Sequence, residues 1–301
     1  MDWLLLSLVS AGVTGIVGIS DKTVIYKYAH SPMTLPLLIG MSQTTVGIVS
    51  LAISGIPTDV TLMTSLYALA SGSLFGCAGI IGQRVLFTQE VSRTIPVTQS
   101  SPIFAALLAL VILDESISAV QWGGIIAAVL GSALISADIS RGIRGMFLKR
   151  SFYLLMVSAF LFGAANVIGK VALAELPLLY THGLRMLALG LIFLSFAFRK
   201  DSWSDVKSYF SNRSPALLFV FINEFITAQL GLMTLLWALS LGPASLVSAV
   251  VGVRALFTVL YSTVIASIWT GALGEETSRG SIAIKLTSTL IIVLGITAVA
   301  I

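Results

Sequence analysis

The chain has 301 residues, 57% of them hydrophobic and 10% charged, with mean hydropathy +1.02 and net charge +4. A soluble domain carries about 25% charged residues, so composition excludes a soluble globular enzyme. The single cysteine, Cys77, excludes an internal disulfide and a cysteine-based metal site.

A membrane-crossing helix needs about 20 mostly apolar residues. Ten such stretches follow one another: 3–20, 33–54, 62–82, 95–113, 119–137, 152–173, 178–198, 215–238, 244–268 and 282–300. Barrel strands would be shorter and alternate in polarity. The expected fold class is therefore all-α integral membrane, with ten transmembrane helices. The first stretch has no basic flank and no small-x-small cleavage site, so it reads as a span and not a signal peptide. The longest loops, 138–151 and 199–214, leave no room for a large soluble domain.

Alternate turns differ sharply in charge. Fourteen of the 17 Lys and Arg residues fall in the turns of one side, among them Lys27, Arg144 and Lys207, while the other side carries acids such as Asp59, Asp114 and Glu115. The positive-inside rule sets the basic side in the cytoplasm and both termini outside. No nucleic-acid partner is needed to explain the basic excess.

The basic segment Asp138 to Arg150 divides the spans five and five, into halves 1–140 and 150–301. An odd count per half forces the halves into opposite orientations, the inverted-repeat plan of many secondary transporters. Faint echoes agree: Ala11, Gly15 and Lys22 align with Ala159, Gly163 and Lys170, and Val129-Leu130-Gly131 with Val293-Leu294-Gly295. Two glycine series, Gly12/Gly15/Gly18 and Gly72/Gly76/Gly79/Gly82, read as close-packing helix faces.

Several local patterns resemble the drug/metabolite transporter superfamily, EamA-like branch. They are Pro102 to Leu108 running into Leu113-Asp114-Glu115, then Gly123-Gly124, Gly242-Pro243-Ala244-Ser245 and Leu273-Gly274-Glu275-Glu276. The resemblance spans the chain and implies a ten-helix transporter without naming a substrate. Two features depart from it: that family keeps its termini in the cytoplasm, and the second acidic turn here is displaced by several residues.

Ionisable groups at membrane depth are the informative ones, because each costs at least about 2.5 kcal/mol at the bilayer centre and must face a partner or water. Arg254 lies near the midplane of span nine and Glu224 near the midplane of span eight. Each is a cavity candidate, Arg254 for a substrate anion; the alternative is an ion pair between the two. As a lone group Glu224 is a proton-coupling candidate. Arg185 in span seven either enters the cavity or pairs with Glu175. Lys170 ends span six, where it snorkels or, through its match to Lys22, lines the site. Asp21 and Lys22 read as interfacial charges. Gln99, Asn166, Gln43 and Gln229 either line the cavity or bond between helices. Pro96 and Pro102 are expected to bend span four, and Phe104, Phe160, Phe162, Tyr180 and Trp237 are further candidates for the lining.

The expected function is secondary transport by alternating access of a small anionic or zwitterionic metabolite, such as an organic acid or amino acid. The alternatives are export of cationic, drug-like compounds held by Glu224 and aromatics, or lipid flipping. No Walker-type loop supports ATP hydrolysis, so the chain reads as a non-enzyme without cofactor or resident metal. Protons are the candidate coupling ion. The expected setting is an inner or plasma membrane, with the chain as monomer or homodimer.

Overall fold

The computed structural model describes residues 2–29, 31–58, 60–88, 97–135, 150–258, 260–261 and 279–301. Asp59, Pro96, the segment Asp138 to Lys149 and the second acidic turn at 273–276 lie outside these residues, as do His30 and the side chain of Lys22.

In hydrocarbon every backbone amide must be bonded within its own segment, so long apolar runs become helices. The described residues are helices and their connecting turns, with no strand among them. We number them α1 (Asp2–Lys27), α2 (Thr34–Ser54), α3 (Leu62–Thr88), α4 (Ser101–Ile112), α5 (Ala119–Ile135), α6 (Arg150–Leu173) and α7 (Leu178–Ala197). Then follow α8 (Lys200–Ser211), α9 (Pro215–Ile222), a π turn (Asn223–Thr227), α10 (Ala228–Leu241), α11 (Ala244–Val251) and α12 (Arg279–Ala300).

Six helices are long and apolar enough to cross a membrane: Asp2–Ile25, Thr34–Ser54, Leu62–Val85, Ser151–Leu173, Leu178–Ala197 and Pro215–Leu241. The last runs unbroken through the π turn. The other four expected spans hold shorter apolar helices, Ser101–Ile112, Ala119–Leu134, Ala244–Thr258 and Thr287–Ala300. Large apolar side chains lie open on the outer faces, Ile53 at 72% and Val111 at 80% exposure. Such a surface suits lipid better than water.

Breaks follow local chemistry. Gly55 takes φ 66° and ends α2. Ser214 caps α9, accepting from the Ala216 amide at 3.3 Å, with Pro215 in the first turn. Residues 97–98 are helical and 99–100 form a turn, so the span is interrupted just before Pro102. That proline sits in the first turn of α4, where a missing N–H has no partner to lose.

The loop after α7 holds an unexpected element. Helix α8 is amphipathic, burying Val206 and Tyr209 while Lys207 lies over the Trp203 ring at 5.7 Å. It braces the α1–α2 turn. Asp205 accepts from the Ser31 amide at 3.0 Å and the Thr34 hydroxyl at 2.6 Å, and the Tyr209 hydroxyl donates to the Tyr28 carbonyl at 2.6 Å. Burial, and then the Asp205 charge, push that hydroxyl up to about 12.

Glycines set the helix contacts. The Gly72, Gly76 and Gly79 face of α3 lies against Arg185, Ile192 and Phe193 of α7, as the small-residue spacing predicts. Helix α2 meets α7 through Gly47 on Leu187 and Gly190 on Thr44. Helix α5 meets α12 through Gly131 on Ser288 and Ile292, and Gly295 on Gly124 and Ala128. Gly15 of α1 lies on Arg254, Phe257 and Thr258; Gly163 of α6 lies on Ser101, Phe104 and Ala105.

Candidate functional site

Two polar constellations occupy the interior. The first is built around Arg185, 2% exposed on α7, with its guanidinium 5.8 Å from the centre of the Phe75 ring. Phe75 stacks edge-on against Phe162 of α6 at 4.9 Å. Gly169, two turns along α6, leaves room for the guanidinium, since a Cβ there would stand 3.0 Å from Nη1. Arg185 Nε and Nη1 have no hydrogen-bond partner. Glu175 does not reach it and is exposed, so the alternative ion pair is absent among the described residues.

One turn past Phe162, the Asn166 amide nitrogen donates to the Ser248 hydroxyl at 3.2 Å, leaving its Oδ1 unpartnered. Gln99, 2% exposed, leaves Nε2 unpartnered. Arg254 is partly buried beyond α11; its carbonyl accepts from the Thr258 hydroxyl at 3.0 Å, and its guanidinium has no hydrogen-bond or ion-pair partner among the described residues. Spare donors thus outnumber spare acceptors among Arg185, Gln99 and Asn166, and spare N–H groups on guanidinium and amide fit a carboxylate or phosphate oxygen.

The second constellation is a chain of hydrogen bonds through Glu224. Gln43 on α2 donates to Glu224 Oε2 at 2.8 Å, and Asn223 donates to Oε1 at 2.9 Å. The same Asn223 nitrogen donates to Asp21 Oδ1 at 2.9 Å, and Gln83 of α3 donates to Oδ2 at 3.3 Å. On the other flank, Gln229 donates to Gln43 Oε1 at 2.8 Å and meets His182 Nε2 at 3.0 Å. The π turn explains the junction. Its extra residue breaks the ordinary helix register, and Gln229 donates at 2.7 Å to the Glu224 carbonyl.

Two sequence readings need correction. Glu224 does not pair with Arg254: its oxygens are taken by amides of Gln43 and Asn223. Asp21 is not an interfacial charge: α1 continues past it and it is bonded to Asn223 and Gln83. Lys170 has partners the sequence did not suggest: its ammonium donates to the carbonyls of Leu239, at 3.2 Å, and Gly242. A cation on the last carbonyls of α10 complements the negative end of that helix. Glu115, from the acidic turn after α4, does the converse at the start of α11. It accepts from the amides of Ala244 at 2.6 Å and Ser245 at 3.1 Å and from the Ser245 hydroxyl at 2.6 Å. Phe160 and Trp237 are exposed at 42% and 50%, and Tyr180 packs in an apolar cluster with Ala68 and Leu184.

Sequence reasoning missed Asn223, Gln83 and His182 as members of the chain. Asn223 carried one signal, since it directly precedes the mid-span Glu224. Among the described residues no group of three His, Cys, Asp or Glu side chains gathers for a metal.

Residues 149–273 match the family model of the EamA-like transporter family, part of the drug/metabolite transporter superfamily. The match falls on the second half and upholds the resemblance read from the sequence. No curated protein matches the chain significantly. Among solved structures 29 chains match. One, described only as the crystal structure of a protein, is 14% identical, with TM-score 0.69 over 99% of this chain and 96% of its own. At that identity the likeness shows the fold alone.

Proposed function

We propose that this chain, EamA-like over residues 149–273, is a secondary transporter of small carboxylate-bearing metabolites, organic acids or amino acids. It is built as ten spans in two inverted five-span repeats and works by alternating access. The observation that carries the substrate class is the pair of arginines, Arg185 and Arg254, held in apolar helices with no acidic partner among the described residues. An isolated buried guanidinium is too costly to keep for structure alone. A substrate anion supplies the missing charge, with Gln99 and Asn166 adding polar contacts.

The repeat reading is supported by contacts that recur with partners exchanged. Leu187, which Gly47 meets, stands three residues before Gly190; Thr44, which Gly190 meets, stands three before Gly47. Ser288 and Ile292 precede Gly295 by the intervals that separate Gly124 and Ala128 from Gly131. The Gly15 contacts at Arg254, Phe257 and Thr258 have the spacing of the Gly163 contacts at Ser101, Phe104 and Ala105. In this register Ser101 is the counterpart of Arg254, so the site carries that cation on one side only. Such a plan places binding near the midplane, between repeats that rock against each other.

The test is uptake of labelled carboxylates and amino acids into proteoliposomes, with Arg254→Gln and Arg185→Gln beside the parent. We expect saturable uptake by the parent and at least a tenfold loss of affinity in each variant. Variants that fold, transport and bind as the parent does would end the reading. Stabilisation by quaternary amines alone, abolished by Glu224→Gln, would instead favour cation export. Loop charge supports both termini outside the cytoplasm of a cell-limiting membrane. In a Cys77→Ser background, Lys207→Cys should label only from the cytoplasmic face and Ser118→Cys only from outside; the reverse pattern would invert the topology.

A further inference from the structure

The second constellation has a composition that the substrate does not explain. Two carboxylates, Asp21 and Glu224, bond one and the same nitrogen of Asn223, so their facing oxygens lie within twice 2.9 Å of each other. Among the described residues no Lys, Arg or His bonds either one. Glu224 and Asn223 are each only 3% exposed, in the middle of an apolar span. Two oxygens at the same place are also unsatisfied: Asn223 Oδ1 and Gln83 Oε1 are buried and accept nothing. An amide turned about its last bond exchanges nitrogen for oxygen with no change of shape. With a cation between the carboxylates, Asn223 can turn Oδ1 toward them in exchange for the two hydrogen bonds its nitrogen now donates.

These features call for a positive species that takes several oxygens at once. A proton shared between the carboxylates relieves their repulsion but leaves both amide carbonyls bare. A cation satisfies carboxylates and amide carbonyls together, the mixed hard-oxygen set that alkali and alkaline-earth ions prefer. The flanking chain also opposes proton traffic, because the carboxamides of Gln43 and Gln229 stand between Glu224 and His182. Single π turns inside longer helices recur at functional sites, and Glu224 lies in one.

We propose that Asp21, Gln83, Asn223 and Glu224 form a binding site for sodium, distinct from the arginine-lined constellation, through which ion and substrate fluxes are coupled. The site joins α1, α3 and the π turn, so a bound ion ties three spans at one point. The coupling rests on the transporter reading; the ion site does not.

The experiment is equilibrium binding of radioactive sodium to the purified full chain in detergent without substrate, at constant ionic strength in choline chloride. Saturable binding displaced by unlabelled sodium but not by choline is expected. Asp21→Asn and Glu224→Gln should each weaken it at least tenfold. Gln83→Leu, which keeps both charges and removes one spare oxygen, should weaken it severalfold. Absence of saturable binding by the parent overturns the site, whatever the variants do. Folded variants, monodisperse and helical, that bind like the parent overturn it too. Uptake in proteoliposomes separates the two readings. Carboxylate transport equally fast in sodium and choline, with no sodium binding, refutes this site and leaves the transporter. Sodium binding without transport of any carboxylate leaves the site and refutes the substrate class.

Discussion

Removing the Glu115 carboxylate should loosen the junction between the acidic turn and α11. Its oxygens accept three hydrogen bonds, from the Ala244 amide, the Ser245 amide and the Ser245 hydroxyl. Both residues are fully buried, so water cannot replace the acceptor. The hydroxyl can turn to another partner; the two amides cannot. A buried amide left unpartnered costs about 1–3 kcal/mol, and truncating a helix cap costs about 0.5–2 kcal/mol. Two orphaned amides at the lower end give about 2–4 kcal/mol for Glu115→Ala. Glu115→Gln keeps one oxygen and should lose about 1 kcal/mol, the charge-assisted part. The assay is reversible denaturant unfolding in detergent micelles, followed by far-ultraviolet circular dichroism. If Glu115→Ala lay within about 0.5 kcal/mol of the parent, as surface substitutions do, the capping argument would be refuted.

Other expectations concern packing and pH. Gly72→Ala would set its Cβ 2.7 Å from Arg185 Cα, which is backbone and cannot rotate away. Overpacking of this kind costs about 1–3 kcal/mol, and the displaced Arg185 should weaken carboxylate binding as well. Gly123→Ala, where nothing lies within 4 Å, should be neutral or slightly stabilising; equal effects in both unfolding and ligand-shift assays would count against the close approach. Tyr209→Phe removes a buried hydroxyl bonded to the Tyr28 carbonyl and should cost about 1 kcal/mol. The hydroxyl is pushed up to about 12 in the fold, against about 10 in an unfolded chain. Its stabilisation is therefore complete below pH 10 and fades as pH climbs toward 12. The gap between parent and variant should be flat from pH 6 to 9 and narrow above 10; a gap that widens there would contradict the assignment.

The six long helices were legible because twenty apolar residues in lipid have few options. The small-residue series on α3 was legible for a related reason: close approach of two backbones demands glycine wherever they touch. Side-chain partners were not, because they come from helices far apart in sequence. Glu224 and Arg254 share mid-depth by residue count, yet depth says nothing of the azimuth at which each points. The π turn rotates everything beyond Ile222 by an extra fraction of a turn, and no composition rule foretells it. Asp21 was misread because a charge near a span end is ordinarily at the interface. Here α1 runs on to Lys27 and carries it inside. The glycines of α2 and α7 were overlooked as a repeat although Gly40 and Gly47 have the same spacing as Gly183 and Gly190.

The exchange of glycine contacts across α2 and α7 bears on how such a molecule is assembled. A face that carries both the notch and the residue that fills it, Gly47 with Thr44, is complementary to a second copy of itself turned end for end. On the inverted-repeat plan proposed above, a half that carries this face needs no different partner: it docks on the other half turned end for end, with Ser101 of one half standing where the other carries Arg254.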